Sequence, residues 1–196
     1  MMLYRILAVM ALAMWPLIPI FFIPLHLKTE FWRKVGLLTY PILLVPWFIA
    51  AYLIVAYQSL LLGNMFMIPL FLRIVGWVSL IAGLLLHTWT AKLLGLKGLI
   101  GYAEIRPAGG YKYKLITSGP FSVVRHPTYL AHTLLLLGVF LLTGYPGTGL
   151  LVVLDFLISY FVITRLEERE LDQRFGEKYQ EYRREVPRFF PGFRLR

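Results

Sequence analysis

Long apolar runs separated by short polar breaks dominate the chain. Five are long enough to cross hydrocarbon, at about residues 4–27, 35–58, 67–91, 127–143 and 146–164. Pro16, Pro19 and Pro24 predict that the first run is kinked or broken towards its end. The second starts near Tyr40-Pro41 and contains Pro46, and the third holds Arg73 near one end and His87 near the other. Thr143-Gly144-Tyr145-Pro146-Gly147 reads as a compact turn, so the last two runs are expected as an antiparallel helical pair. The N-terminal run is about twice as long as a signal-peptide core and lacks a clear small-residue cleavage site, which predicts a retained anchor.

Composition agrees. Of 196 residues, 59% are hydrophobic, and the mean hydropathy is +0.70. One soluble core of this size cannot hide that much apolar surface. The expected fold is therefore an all-α integral membrane protein, with about five transmembrane helices, a C-terminal helical hairpin and cytoplasmic interfacial segments. It reads as a single membrane domain over 1–196, with three spans in 1–91 and the last two spans and a charged tail in 92–196. The absence of cysteine excludes disulfides, thiolate nucleophiles and cysteine-based zinc sites.

The net charge of +10 raises the question of nucleic acid, but its distribution points to membrane orientation. The first connection carries Lys28, Arg33 and Lys34, and the third carries Lys92, Lys97, Arg106, Lys112, Lys114 and Arg125. The C-terminal segment adds nine basic residues, so 18 of the 20 fall on one side. This predicts an outside N-terminus and a cytoplasmic C-terminus, and an even number of spans would break the agreement.

Segment 92–126 mixes glycines with Leu93, Leu94, Leu96, Leu99, Ile100, Leu115 and Ile116, which suits a stretch lying along the interface. Gly95-x-x-Gly98-x-x-Gly101 is not a dinucleotide fingerprint, because no strand precedes it; no Rossmann domain, Walker loop or HExxH site is expected. Beyond 164 the chain reads as a charged helix with Glu170 and Arg174 one turn apart. It ends near Val186-Pro187, and Phe189-Phe190-Pro191 is expected to anchor at the interface.

Two polar clusters stand at the same predicted membrane face. The first is Arg125-His126-Pro127-Thr128-Tyr129. Pro127 suits the first helical position, where its missing N–H has no partner to lose, and the free N–H groups of that turn favour an anion. Arg125 strengthens the site as a carboxylate clamp. His126, beside a positive helix end and an arginine, is expected neutral. Tyr129 follows on roughly the same side, with His132 and Thr133 beyond it. A His126/His132 metal site lacks a third ligand and suitable spacing. The bland alternative is a helix cap and an interfacial tyrosine.

The second cluster is Arg165-Leu166-Glu167-Glu168. Neighbouring side chains on a helix diverge by roughly 100 degrees, so one glutamate is enough to face a cavity. Asp155, near the middle of the fifth run, reads either as functional and interior-facing or as protonated and locked by hydrogen bonds. The roles of Asp155, His87 and His132 stay open.

The stretch Leu115-Ile116-Thr117-Ser118-Gly119-Pro120-Phe121 through Tyr129 resembles the signature of the isoprenylcysteine carboxyl methyltransferase family. So do Glu167-Glu168, Phe175-Gly176 with Tyr179 and Tyr182, and Val186-Pro187-Arg188. Related phospholipid methyltransferases share parts of it. The resemblance implies an enzyme of the protein-S-isoprenylcysteine O-methyltransferase type, using S-adenosylmethionine, yielding S-adenosylhomocysteine and needing no metal. It implies that Tyr113, Lys114, Leu115, Ile116, Phe121, Arg125, His126, Pro127, Thr128, Tyr129 and Glu167 line the cofactor site. Arg165, Glu167 and Glu168 would be catalytic, with Arg165 orienting an acceptor carboxylate. Phe121 stands where the family commonly has tyrosine.

The implied acceptor is the α-carboxylate of an isoprenylated cysteine. The alternatives are a phospholipid amine or other small lipid, or an NADPH-dependent membrane reductase. Lipophilic or prenylated substrates and membrane lipids are the expected partners of a monomer, with no nucleic acid. A non-catalytic protein whose basic face binds anionic lipids is the remaining reading.

Overall fold

The computed structural model describes residues 1–102, 104–105 and 114–191. Every regular element among them is helical. The first apolar run forms α1 (Met2–Met14) and α2 (Leu17–Leu27). The break falls in the middle of the run, at Trp15-Pro16, rather than at its end. Pro16 and Pro19 together remove two amide donors from one stretch of ladder, whereas the lone Pro24 is absorbed inside α2. Next come α3 (Thr29–Val35), α4 (Thr39–Ala56, with Pro46 inside it), α5 (Gln58–Leu62) and α6 (Leu70–Leu99). α6 outlasts its apolar run and bends at Gly95, whose φ of 65° is readily adopted by glycine. The second half holds α7 (Pro127–Thr143), α8 (Pro146–Ile158), a π turn (Ser159–Ile163), α9 (Thr164–Phe175) and α10 (Glu177–Glu185).

Among the described residues, four helical stretches are long and apolar enough to cross a membrane: Met2–Leu27, Thr29–Ala56, Leu70–Leu99 and Pro146–Phe175. The protein is an integral, multi-pass membrane protein. The outer faces of α4 and α6 present Val45, Phe48, Ile49, Phe71, Ile74, Val78 and Ile81, an apolar coat that suits lipid. The remaining apolar helix, α7, is 17 residues long. It runs antiparallel beside α6 and is the most enclosed element: the Ser79 hydroxyl donates to the Leu134 carbonyl at 2.9 Å, and Gly83 lies against Ala131 and Leu135.

The expected hairpin is present. Gly144 ends α7 in the left-handed region (φ 68°, ψ 22°), its N–H bonded to the Phe140 carbonyl at 2.9 Å, and Pro146 opens α8.

Small residues let α6 and α7 approach closely. A Cβ on Gly138 would fall 2.8 Å from the Leu80 backbone nitrogen and 2.9 Å from the Gly76 carbonyl oxygen. Gly138→Val is therefore expected to destabilise the bundle by about 1–3 kcal/mol, read as a lowered unfolding midpoint in detergent. An unchanged midpoint would mean that the helices are not packed this tightly.

Asp155 is 1% exposed at the middle of the bundle. It accepts hydrogen bonds from Trp15 Nε1 at 3.0 Å and Thr133 Oγ1 at 2.6 Å, with His132 Nδ1 3.0 Å away. It ties the Trp15-Pro16 break to the hairpin through hydrogen bonds.

The inward residues that follow recur every fourth position, at Leu151, Asp155, Ser159 and Ile163. In a plain α-helix that spacing drifts by about 40° per step. The wider π turn takes up the drift and delivers Thr164 and Glu168 to the interior.

Candidate active site

α7 starts where the Arg-His-Pro sequence predicts, with Pro127 first and His126 as the preceding residue. The N–H groups of Arg125 and His126 donate to the carbonyls of Pro187 and Arg188 at 2.8 and 3.2 Å. That backbone stitch folds the C-terminal segment over the start of α7. Phe189 is drawn inward with it. The expected interfacial anchor is therefore corrected: Phe189 is 1% exposed and packs with Tyr129 and Ile163, while Phe190 stays exposed.

Glu168, 4% exposed, is the hub of the charged cluster. Its Oε1 accepts from Arg125 Nη2 at 2.8 Å and Arg188 Nε at 3.0 Å, and lies 3.1 Å from His126 Nε2. Its Oε2 pairs with Arg188 Nη2 at 2.5 Å. Arg125 also donates to the Arg183 carbonyl at 3.0 Å and to the Val186 carbonyl. The anion beside the start of α7 is thus the chain's own carboxylate.

Glu167 diverges from its neighbour, as adjacent helical positions must. Its Oε2 lies 3.4 Å from His126 Nδ1 and has no hydrogen-bond partner although it is buried. The expectation of a neutral His126 is corrected here. Burial does work against its charge, but the two carboxylates beside it, Glu167 and Glu168, outweigh burial and hold its pKa above the ordinary value of 6.5.

A group whose pKa rises on folding stabilises the folded state fully below its unfolded value, and that contribution is lost as pH rises through the folded value. The unfolding midpoint of the wild type is therefore expected to fall as pH rises from about 6.5 through the elevated pKa. His126→Gln should flatten that slope; an equal slope in both proteins would remove His126 as its source.

On the other side of Glu167 lies a cavity of about 130 Å³. Its wall brings together Lys114, Leu115, Ile116, Phe121, Arg125 and Glu167 from the sequence-predicted set. Leu94, Glu104, Leu171, Arg174, Phe175, Tyr179 and Tyr182 complete it. Among the described wall residues, three buried polar atoms make no hydrogen bond: Glu104 Oε2, Glu167 Oε2 and the Tyr179 hydroxyl. The Tyr182 hydroxyl donates to the Phe121 carbonyl at 2.6 Å, and burial, with smaller contributions from nearby charges, pushes its pKa up, so it stays protonated. Arg174 bridges Glu170 and Glu104, the latter at 2.9 Å, and fastens the loop after α6 to α9.

Not every expected residue reaches this wall. His126 and Tyr129 flank Glu167 from behind, and Glu168 is enclosed among its cations. Pro127 and Thr128 are absent from the wall, and Tyr113 lies outside the described residues. Arg165 is exposed, its guanidinium 5.5 Å from the centroid of the Phe161 ring. The sequence carries no signal for Glu104, presents Arg174 only as the helical partner of Glu170, and presents Arg188 only as part of the family signature. Tyr179 and Tyr182 carried a legible signal, since with Phe175 they recur at i, i+4 and i+7. Among the described residues, no group of three or more His, Cys, Asp or Glu side chains is placed to hold a metal ion.

The phospholipid methyltransferase family pattern matches residues 71–178, more than half of the chain and most of this site. The chain belongs to the phospholipid methyltransferase family. Isoprenylcysteine carboxyl methyltransferases belong to the same family, so the resemblance seen in the sequence holds at that level. S-adenosylmethionine is the cofactor consistent with membership.

The chain is 32% identical to the cobalt-zinc-cadmium resistance protein CzcN of Cupriavidus metallidurans, over 55% of this chain and 54% of that one. It is 28% identical to the nickel-cobalt-cadmium resistance protein NccN of Alcaligenes xylosoxydans xylosoxydans, over 63% of this chain and 64% of that one. It is 33% identical to the methanethiol S-methyltransferase of Crocosphaera subtropica, over 59% of this chain and 43% of that one. Each match thus spans less than two thirds of the relative. No solved structure matches the chain.

Proposed function

We propose that this protein transfers a methyl group from S-adenosylmethionine to a lipid-like acceptor at the cytoplasmic face of a membrane. The observation that carries the reading is the cavity beside Glu167, where two carboxylate oxygens and one tyrosine hydroxyl are buried without a hydrogen bond. Unsatisfied acceptors of this kind are costly unless a ligand completes them. A cationic ligand bearing an amine and hydroxyls supplies what they lack, so the chemistry of these groups suits the polar end of the methyl donor, which a cavity of about 130 Å³ holds only in part.

In this reading Glu167 and Glu104 attract the donor's positive charge, and Phe121 and Phe175 offer flat apolar surface. Leu94, Ile116 and Leu171 keep water out. When bound, the cofactor supplies an electrophilic methyl on a sulfonium. The protein's part is alignment and desolvation, because opposite charges vanish in the displacement and water would hold them apart. Glu168 acts as a positioning residue through His126, Arg125 and Arg188. Residues 92–196 form the cofactor-binding region of a single membrane domain, and the protein acts as a monomer. The N-terminus lies outside and the C-terminus in the cytoplasm. The antiparallel course of α7 beside α6 supports this orientation, because it makes α7 the fourth of five crossings.

The signature supports the α-carboxylate of an isoprenylated cysteine as acceptor. The position of Arg165, the residue expected to orient a carboxylate, outside the cavity wall favours a second reading, an amine or thiol. Arg165 stands exposed over Phe161, while Arg125 and Arg188 pair with Glu168 and Arg174 with Glu104 and Glu170. The similarity to a methanethiol S-methyltransferase points the same way.

Transfer of a labelled methyl group from the donor to lipids or small lipophiles by the purified protein tests the proposal. Label should move to at least one acceptor class and fail to move after Glu167→Gln at low donor concentration. Absence of transfer across carboxylate, amine and thiol acceptors would contradict it.

A further inference from the structure

α9 borders two cavities with two of its faces. Glu167, Leu171 and Arg174 recur at i, i+4 and i+7 on the side of the candidate site. Leu166, Arg169, Glu170 and Gln173 recur at i, i+3, i+4 and i+7 and line a second cavity, of about 430 Å³. That volume falls within the ordinary range of small-molecule sites, about 300–1,000 Å³. The facing wall is the junction of α2 and α3, with Leu27, Lys28, Glu30 and Phe31. Lys28 is the single residue between those helices. Its place is fixed: the Lys28 N–H donates to the Pro24 carbonyl at 3.1 Å, and Trp32 Nε1 donates to the same carbonyl at 2.8 Å. Arg33 reaches across to Glu170 at 3.6 Å and holds the two walls together.

Charge limits what the cavity can take. Glu170 is already paired with Arg174 and Arg33. Among the described residues, no ion pair engages Lys28, Arg169 or Glu30, and all three are exposed. Two cations thus stand against one carboxylate, which suits a ligand with one net negative charge. Position limits where that ligand comes from. The junction joins Met2–Leu27 to Thr29–Ala56, two stretches able to cross a membrane, so the cavity opens at the boundary between hydrocarbon and water. Leu27 and Phe31 are 57% and 54% exposed there, an apolar surface beside the two cations. Basic pockets between membrane helices recognise lipid head groups by this combination.

We infer that the second cavity binds the head group of an anionic phospholipid, with its phosphate between Lys28 and Arg169 and its acyl chains along Leu27 and Phe31. Glu30 accepts from hydroxyls of the head group. α9 stands between this lipid and the wall assigned to the methyl donor, so it is a bound structural lipid and not the methyl acceptor. The inference does not rest on methyl transfer. The lipid braces the α2–α3 junction against α9, and a ligand that binds only the folded state stabilises it.

The test is lipid titration of the full-length protein in detergent, read by native mass spectrometry and by the unfolding midpoint. Dioleoylphosphatidylglycerol should be retained at one copy per chain and raise the midpoint. Dioleoylphosphatidylcholine at the same concentration should do neither. Lys28→Gln and Arg169→Gln should each weaken retention about 5-fold, and the two together roughly 25-fold. Lys28→Arg should keep it. Lys34→Gln combined with Lys178→Gln removes the same charge from exposed positions outside the cavity and should leave retention near that of the wild type. The substituted side chains are exposed, so the unfolding transition without lipid should persist in every variant. Equal retention of the two lipids, or equal losses in the two double variants, would overturn the site. Displacement of the lipid by glycerol 3-phosphate would overturn its assignment to lipid and give it to a soluble phosphate. Donor affinity should be unchanged in the Lys28→Gln, Arg169→Gln protein. Failure of the wild type to bind donor would contradict the methyl-transfer reading and leave the lipid site standing.

Discussion

Glu168→Gln is expected to cost the folded protein about 3–5 kcal/mol, the usual consequence of removing one member of a buried ion cluster. The loss should appear as an unfolding midpoint in detergent lower by roughly 10 °C. Glu168 is the shared acceptor for Arg125, His126 and Arg188, so the neutral amide leaves two guanidinium groups and an imidazole facing a partner without charge. The damage should spread, because Arg125 also holds the carbonyls of Arg183 and Val186. The segment that covers the start of α7 depends on the same arginine. Arg188→Met, which removes a cation from the half-buried side of the cluster, should cost less. Equal midpoints for Glu168→Gln and the wild type would show that the cluster does not hold the tail against the bundle.

Glu167→Gln is expected to do the reverse: weaken binding of the methyl donor without unfolding the protein. Its carboxylate keeps 27% of its side chain exposed, and its Oε2 makes no hydrogen bond within the protein. Glu167 supports the charge of His126 from 3.4 Å without a hydrogen bond, so its loss should cost folding less than the loss of Glu168, while a cationic ligand draws on it directly. A hydrogen bond to a charged group contributes about 1.5–3 kcal/mol, so donor affinity should fall by roughly 10- to 100-fold. The unfolding midpoint without ligand should stay near that of the wild type. Unchanged donor affinity would take Glu167 out of the site. Together the two variants separate adjacent glutamates into one that supports structure and one that meets the ligand.

Much of this arrangement is legible in the amino-acid sequence. The apolar runs locate the helices, Pro127 marks the start of α7, and Gly144 with Pro146 marks the hairpin turn. Each of these is a local preference that packing had no reason to override. The divergence of Glu167 from Glu168 follows from helical geometry alone.

What escaped the sequence depends on contacts far apart in the chain or on a change of helical pitch. Glu104 meets Arg174 seventy positions away. Arg188 reaches Glu168 only because the tail is stitched to Arg125 and His126. The neutral state assigned to His126 weighed the helix end and the neighbouring arginine, but not two carboxylates brought in from α9. The π turn at Ser159–Ile163 is invisible to a 3.6-residue pattern. It resets which positions face inward just before Thr164, so Glu168 points into the bundle and Arg165 points out.

The most direct test of the central claim is calorimetric titration of S-adenosylmethionine and S-adenosylhomocysteine into the full-length wild type in detergent. Saturable binding at one site per chain, weakened by Glu167→Gln and unaffected by chelators, is the predicted result. No heat of binding for either compound, from protein shown to be folded by its unfolding transition, would contradict it.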